Sequence, residues 1–258
     1  MLICGDCIEV MRGWSEPKFH LVFADPPFNR AKAYSDGDGD DRPLDEYRNW
    51  LRIRLSEMTA LLLPGGMLWL MQDQAHLGFC QMTLEAVGLT WLNTVVWVYT
   101  NPTPAASHLP KTWRPILVFS KGIPEWLDVA ADNLGRGTLY YNPERSTTRP
   151  VHDVWPDCPK LVGGIFAQPE LLTTPEGRFA HLAQMPERIA ERILKLASRP
   201  GQHVLDPFAG SGTFVAVAER LGREWTGIEI SPTYCDLIGA RLKRQREHGI
   251  QYEMGLEG

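Results

Sequence analysis

Apolar and polar positions along the chain follow two different periods, and the switches between them mark the elements. Phe19-His20-Leu21-Val22-Phe23-Ala24 is a nearly continuous apolar run that stops at Asp25-Pro26-Pro27. That pattern predicts a buried strand, ended where proline removes the N–H that a ladder needs. Leu51, Leu55, Met58 and Leu62 recur at helical spacing, so a helix is expected from Leu44 to Leu63, halted by Pro64-Gly65-Gly66. Met67 to Met71 reads as a second strand and Ala75 to Val87 as a helix. Trp91 to Tyr99, rich in β-formers, and Pro115 to Ser120 read as two further strands. From Lys121 to about Arg178 the periodicity disappears, which suits an insertion with its own binding task or a long irregular connection. Regular alternation then resumes: helix Pro186–Ser198, strand His203–Asp206, helix Gly212–Leu221, strand Trp225–Ile230 and helix Pro232–Lys243. Strands alternating with helices predict an α/β fold whose largely parallel sheet is covered by helices. Ligands in such folds bind at the carboxyl ends of the strands.

Composition narrows this reading only a little. With 258 residues, 44% hydrophobic and 22% charged, the chain can bury the core of one compact α/β domain with insertions. No stretch approaches the roughly 18 uninterrupted apolar residues of a membrane span. The first residues carry no charged region followed by an apolar segment, so a cytoplasmic protein with reduced thiols is expected. Cys4, Cys7, Cys80, Cys158 and Cys235 make an odd set, and the one CxxC at Cys4 and Cys7 lacks a second half. Plain buried thiols, with no metal, are the better reading. The acidic run Asp36 to Asp41 lacks the glycine and glutamate that a calcium loop requires, Asp41 and Tyr47 standing in their places. It reads as a solvated loop that orders when substrate binds. Trp91 and Trp97, both on expected strands, read as core.

Net charge of −5 argues mildly against nucleic acid, although charge can be local. Arg136, Arg145, Arg149 and Lys160 form one basic group, and Arg241, Lys243, Arg244 and Arg246 another. A solvated helix face explains the second at least as well as a nucleic-acid contact.

Chemistry concentrates in two segments. Asp206-Pro207-Phe208-Ala209-Gly210-Ser211-Gly212-Thr213 lies between a strand and a helix, where glycines let the backbone turn tightly beside a ligand. The helix that follows offers unpaired N–H groups to an anionic group. Glu229, ending the next strand in Gly227-Ile228-Glu229-Ile230, is placed to accept ribose hydroxyl protons. A nicotinamide site is disfavoured because Val215 occupies the third glycine position of GxGxxG, and no phosphate-loop pattern is present.

The second segment is Asp25-Pro26-Pro27-Phe28. At a strand end, Asp25 and the Pro26 carbonyl can hold both hydrogens of a planar amino group and aim its lone pair at an electrophile. Phe28 offers a ring on which an extruded base can stack. A Pro-rich strand end with a buried Phe is the plainer alternative, and it weakens once the glycine loop is considered beside it.

Together the motifs resemble the amino-methylating DNA methyltransferases of the permuted beta group. The resemblance rests on Gly5-Asp6, Asp25-Pro-Pro-Phe28, Leu63-Pro-Gly-Gly66, Arg114 to Phe119, His181-Leu-Ala-Gln184-Met-Pro-Glu187, Asp206 to Thr213 and Gly227-Ile-Glu229, in that order. It implies a Rossmann-like, seven-stranded, mostly parallel methyltransferase sheet in circularly permuted order. Residues 1–120 would be its catalytic half, 121–178 a target-recognition insertion and 179–258 its cofactor half. It implies S-adenosyl-L-methionine as cofactor, double-stranded DNA as partner with base flipping, and a homodimer. Asp25, Pro26, Pro27 and Phe28 would be catalytic. Asp6, Cys7, Asp25, His181, Gln184, Asp206, Phe208, Gly210, Ser211, Gly212, Thr213, Glu229 and Ile230 would bind cofactor, with Asp6 near the adenine and Glu229 on the ribose. An aromatic after DPP goes with adenine N6 in that family. N4-cytosine methylation, RNA amino-methylation and a non-catalytic, cofactor-binding recognition subunit are the alternatives. Met185 stands where relatives often carry a lysine, and Phe28 where tyrosine is commoner.

Overall fold

A computed structural model describes residues 1–30, 40–99, 109–130, 151–158, 160–161, 170–172 and 184–248. Its strands are β1 (Leu2–Cys4), β2 (Phe19–Ala24), β3 (Leu62–Met71), β4 (Thr90–Val98), β5 (Trp113–Ser120), β6 (Val154–Trp155), β7 (His203–Asp206) and β8 (Glu224–Glu229). The helices are α1 (Cys7–Arg12), α2 (Leu44–Leu61), α3 (Leu77–Ala86), α4 (Glu187–Ala197), α5 (Thr213–Arg220) and α6 (Pro232–His248), with a 3-10 turn at Gln74–His76.

All eight strands form one sheet in the order β1-β8-β7-β2-β3-β5-β4-β6. Neighbours are parallel except β3 with β5 and β5 with β4. The strand count corrects the expected seven. Val154–Trp155, from the stretch without periodicity, adds a parallel edge strand on β4, with Trp97 paired to Trp155. Trp155 is buried there over Trp69, their ring centroids 6.2 Å apart.

Why the central strands read as unbroken apolar runs is now plain, since helices cover both faces. Successive side chains point to opposite faces. Leu21, Phe23, Trp69, Ile116 and Val118 pack on one side with Ile189, Ile193 and Leu194 of α4 and Phe214 and Val217 of α5. Val22, Ala24, Leu68, Leu70, Leu117 and Phe119 pack on the other with Met11 of α1, Leu51, Leu55 and Met58 of α2, and Leu84 of α3.

Three further expectations change. Trp91 is 43% exposed rather than core, whereas Trp97 is buried as expected. Cys4 and Cys235 form a disulfide, Cα atoms 6.0 Å apart, so only Cys7, Cys80 and Cys158 are the buried thiols that were expected. Asp40, in the acidic run read as solvated, is buried and accepts the Asn29 N–H. The rest of the 31–39 loop, Asn101 to Pro104 and most of 121–178 lie outside the described residues. No described helix is long and apolar enough to cross a membrane.

Candidate active site

Sheet register assembles the site. Cys4 pairs with Glu229, Asp206 with Gly227, and Leu205 with Val22, so four parallel strands end nearly flush. Gly5 and Asp6 follow β1, Glu229 closes β8, Asp206 closes β7, and Asp25 follows β2. A cleft along these ends is lined by Asp6, Cys7, Asp25, Pro27, Phe208, Gly210, Glu229 and Ile230. Trp50 and Arg54 of α2 and Tyr234 of α6 complete its walls. A smaller recess beside it brings Asp25 and Asp206 against Ser211, Thr213 and Met185.

The acidic groups are individually held. Glu229 accepts the Gly210 N–H at 2.7 Å and the Ser231 N–H at 2.9 Å, one on each oxygen. Asp6 caps α1 through Ile8 N–H at 2.6 Å, and its other oxygen accepts from Arg54 at 3.0 Å. Arg54 in turn lies over the Trp50 ring, 4.0 Å from its centroid. Asp206 is fully enclosed. Burial first, and then the negative charges of Asp25 and Glu229, push its carboxyl well above the usual range, although the Phe208 N–H at 3.1 Å favours the anion. A cleft and recess that gather these carboxyl groups suit a cationic ligand.

The glycine loop is braced from behind. Gly212 holds φ at +72° as the N-cap of α5, and a Cβ there would come within 2.9 Å of Ile238. Arg241 of α6 donates to the Ser211 carbonyl at 3.1 Å and to Thr213 Oγ1 at 3.0 Å, and it pairs with Glu187 at 2.6 Å. Glu187 also pairs with Arg220 at 2.7 Å. Arg241 is therefore buried structure, not part of a solvated face, whereas Lys243, Arg244 and Arg246 are exposed.

Side chains occupy two carbonyls of the Pro-rich turn. Tyr47 Oη donates to the Pro27 carbonyl at 2.8 Å and accepts from Gln72 Nε2 at 3.0 Å. His76 Nε2 lies 3.3 Å from the Phe28 carbonyl. Since that carbonyl only accepts, Nε2 carries the proton, and burial keeps the ring's pKa below its ordinary value. Asn29 adopts φ of +57° and exchanges two 2.7 Å side-chain bonds with the Arg42 backbone, which ends the turn. Among the described residues no donor is recorded on the Pro26 carbonyl, next to Asp25.

Most expected residues thus converge: Asp6, Cys7, Asp25, Pro27, Phe208, Gly210, Glu229 and Ile230 in the cleft, and Asp206, Ser211 and Thr213 in its recess. Gly212 acts through loop shape. Pro26 is buried behind the turn. Gln184 and Phe28 also stay out of the cleft. Gln184 instead ties down residues 170–172, donating to Glu170 O at 2.7 Å and accepting from Leu172 N–H at 2.9 Å. Phe28 is only 7% exposed and faces the core under Arg114. His181 lies outside the described residues. Trp50, Arg54, Tyr47, Tyr234 and Arg241 were not anticipated. The signal for Trp50 and Arg54 was their i, i+4 spacing one position before Leu51 and Leu55. That for Arg241 was its place in the stripe of Ile238, Leu242 and Gln245.

Comparison with known proteins agrees with this geometry. The chain is 27% identical to the type II methyltransferase M2.LlaDCHI of Lactococcus lactis subsp. cremoris, over 97% of this chain and 91% of that protein. It is also 27% identical to the type II methyltransferase M.BamHI of Bacillus amyloliquefaciens, over 93% of this chain but 56% of the longer relative. Among solved structures, the PvuII cytosine-N4-specific DNA methyltransferase superposes with a TM-score of 0.73 at 18% identity, covering 93% of this chain and 85% of that one. The M1.HpyAVI–SAM complex does so with a TM-score of 0.65 at 20% identity, covering 94% and 98%. The DNA methylase model of the N6/N4 type matches residues 19–240, and the chain belongs to that family of DNA methyltransferases.

Proposed function

We propose that this DNA methyltransferase uses S-adenosyl-L-methionine to methylate the N6 amino group of adenine, in a base extruded from duplex DNA. The observation that carries the reading is the meeting of Asp25 and Pro27 with Glu229 in one cleft at adjoining strand ends, and of Asp25 with Asp206 in the recess beside it. The donor fits the residues present: its sulfonium and amino groups are cationic, and Glu229 and Asp206 stand in the cleft and in the recess beside it. Bound S-adenosyl-L-methionine supplies an electrophilic methyl group.

The chain's own residues do the rest by placement. Glu229, fixed by the Gly210 and Ser231 N–H groups, presents its carboxylate to the ribose hydroxyls. Phe208 and Ile230 give apolar walls, and Asp206 faces the cationic end. No cation comes from Met185, so the loop's own N–H groups are left to receive a carboxylate. Asp25 and the Pro26 carbonyl accept hydrogen bonds from the two N–H groups of the target amine, orienting its lone pair and stabilising the positive charge that develops on nitrogen until one proton leaves to solvent. Residues 121–178, which separate the two halves in sequence, are proposed as the recognition segment.

Incubating the full chain with labelled cofactor and unmethylated duplex DNA, with RNA alongside, tests this directly. N6-methyladenine in DNA is the expected product. N4-methylcytosine would overturn the base assignment while keeping the class, and label in RNA alone would overturn the choice of polymer.

A further inference from the structure

One arginine stands where the strand pattern calls for an apolar residue. Arg114 of β5 has the same parity as Ile116 and Val118, so it projects onto the sheet face that carries Phe23 and Phe28. Its guanidinium lies 4.7 Å from the Phe28 ring centroid and 5.7 Å from that of Trp97, its cross-strand partner. Trp97 is locked by donating its indole N–H to the Cys158 carbonyl at 2.6 Å, and Tyr99 meets it edge-on at 5.5 Å. A planar cation therefore covers the ring on which the sequence motif would stack an extruded base. A second cation, Lys160, lies 5.4 Å from the Tyr99 ring.

We propose that Arg114 is a placeholder for the target base, filling the aromatic slot of Phe28 and Trp97 in the free enzyme and yielding it to the extruded base. Guanidinium suits this task because it is flat and binds aromatic faces as a nucleobase does. It also has somewhere to go. The incoming nucleotide carries phosphate oxygens, which arginine binds in bidentate fashion once displaced. The slot is thereby kept from collapsing, without water having to fill it. Arg114 becomes a substrate-contacting residue that neither the glycine loop nor the Pro-rich turn reveals. The inference rests on the reading of Phe28 as the base's stacking surface.

The test is a fluorescence titration of the full chain with 2-aminopurine deoxyribonucleoside, a planar emissive base that needs no recognition sequence. R114A should bind it about fivefold more tightly than the unaltered chain, the equivalent of removing one partly exposed cation–π contact. R114K, which keeps the charge but loses the plane, should show a smaller gain in the same direction and serves if R114A fails to fold. Binding no tighter than the unaltered chain in the folded variants would overturn the placeholder role. Adding F28A to R114A should abolish the gain. Nucleoside binding that is indifferent to F28A would instead overturn the stacking role of Phe28.

Discussion

At the scale of single residues, the site depends on groups held in uncommon states. Asp206 is one. A carboxyl whose pKa is raised on folding contributes its full stability below the unfolded value, near 4, and loses it as pH rises through the folded value. Asp206→Asn removes the ionisation while keeping the shape, so it should raise the thermal midpoint of the free enzyme at neutral pH. A cationic ligand reverses the balance by favouring the anion. Binding of S-adenosyl-L-methionine should therefore release a proton and tighten as pH rises through the Asp206 range, and calorimetry in buffers of different ionisation enthalpy would register this. Affinity that is flat with pH would contradict it. Tyr47 is a second case. Tyr47→Phe keeps the buried ring but frees the Pro27 carbonyl, so the turn loses one brace. The expected outcome is roughly tenfold lower kcat with cofactor affinity unchanged, because small misplacements of reacting groups are costly. Equal losses in kcat and in cofactor binding would show that the hydroxyl merely supports the fold.

Elements were legible where burial on both faces, or a clear stripe, left its mark. β2 and β7 have the boundaries that the sequence implies, since apolar runs are cut by proline or by the loop they serve. α2 follows its stripe as far as Met58, but Leu62, expected as its last apolar position, opens β3, which runs through Pro64-Gly65-Gly66; Leu55, fully buried within the helix, should cost about 2–5 kcal/mol when cut to alanine, as measured by denaturant unfolding. β1 was illegible because three residues hold no period; it is a strand only through its pairing with β8. α1 was missed for a similar reason, being six residues long and defined by its Asp6 cap. Arg241 shows a different failure. Charge suggested solvent, yet its neighbours in the helix stripe are buried, and the guanidinium found three partners around the glycine loop. The site followed the same rule: motif residues at strand ends were readable, whereas Trp50 and Tyr47 reach it only through the packing of α2, and Tyr234 through the first turn of α6.

For the whole molecule, the order of parts matters more than any single motif. The segment bearing Asp25 comes first and that bearing Asp206 and Glu229 comes last, and the sheet lays β2 directly beside β7. The Pro-rich turn and the glycine loop, far apart in sequence, thus share one cleft. Long-range links of this kind also explain what the sequence concealed. Cys4 and Cys235 are separated by 231 residues, and a parity count of cysteines does not pair them. Val154–Trp155 becomes an edge strand only because β4 presents an open edge. Net negative charge, which argued against DNA, reflects in part the carboxylates gathered on the cofactor side.

The central claim is a division of labour inside that cleft, with Asp25 orienting the amine and the remaining carboxylates holding the donor. Asp25→Ala separates the two. Measured on one preparation, methyl transfer to duplex DNA should fall by about 100-fold or more while S-adenosyl-L-methionine affinity changes by no more than about threefold. Retained transfer, or loss of cofactor affinity in step with activity, would contradict the account.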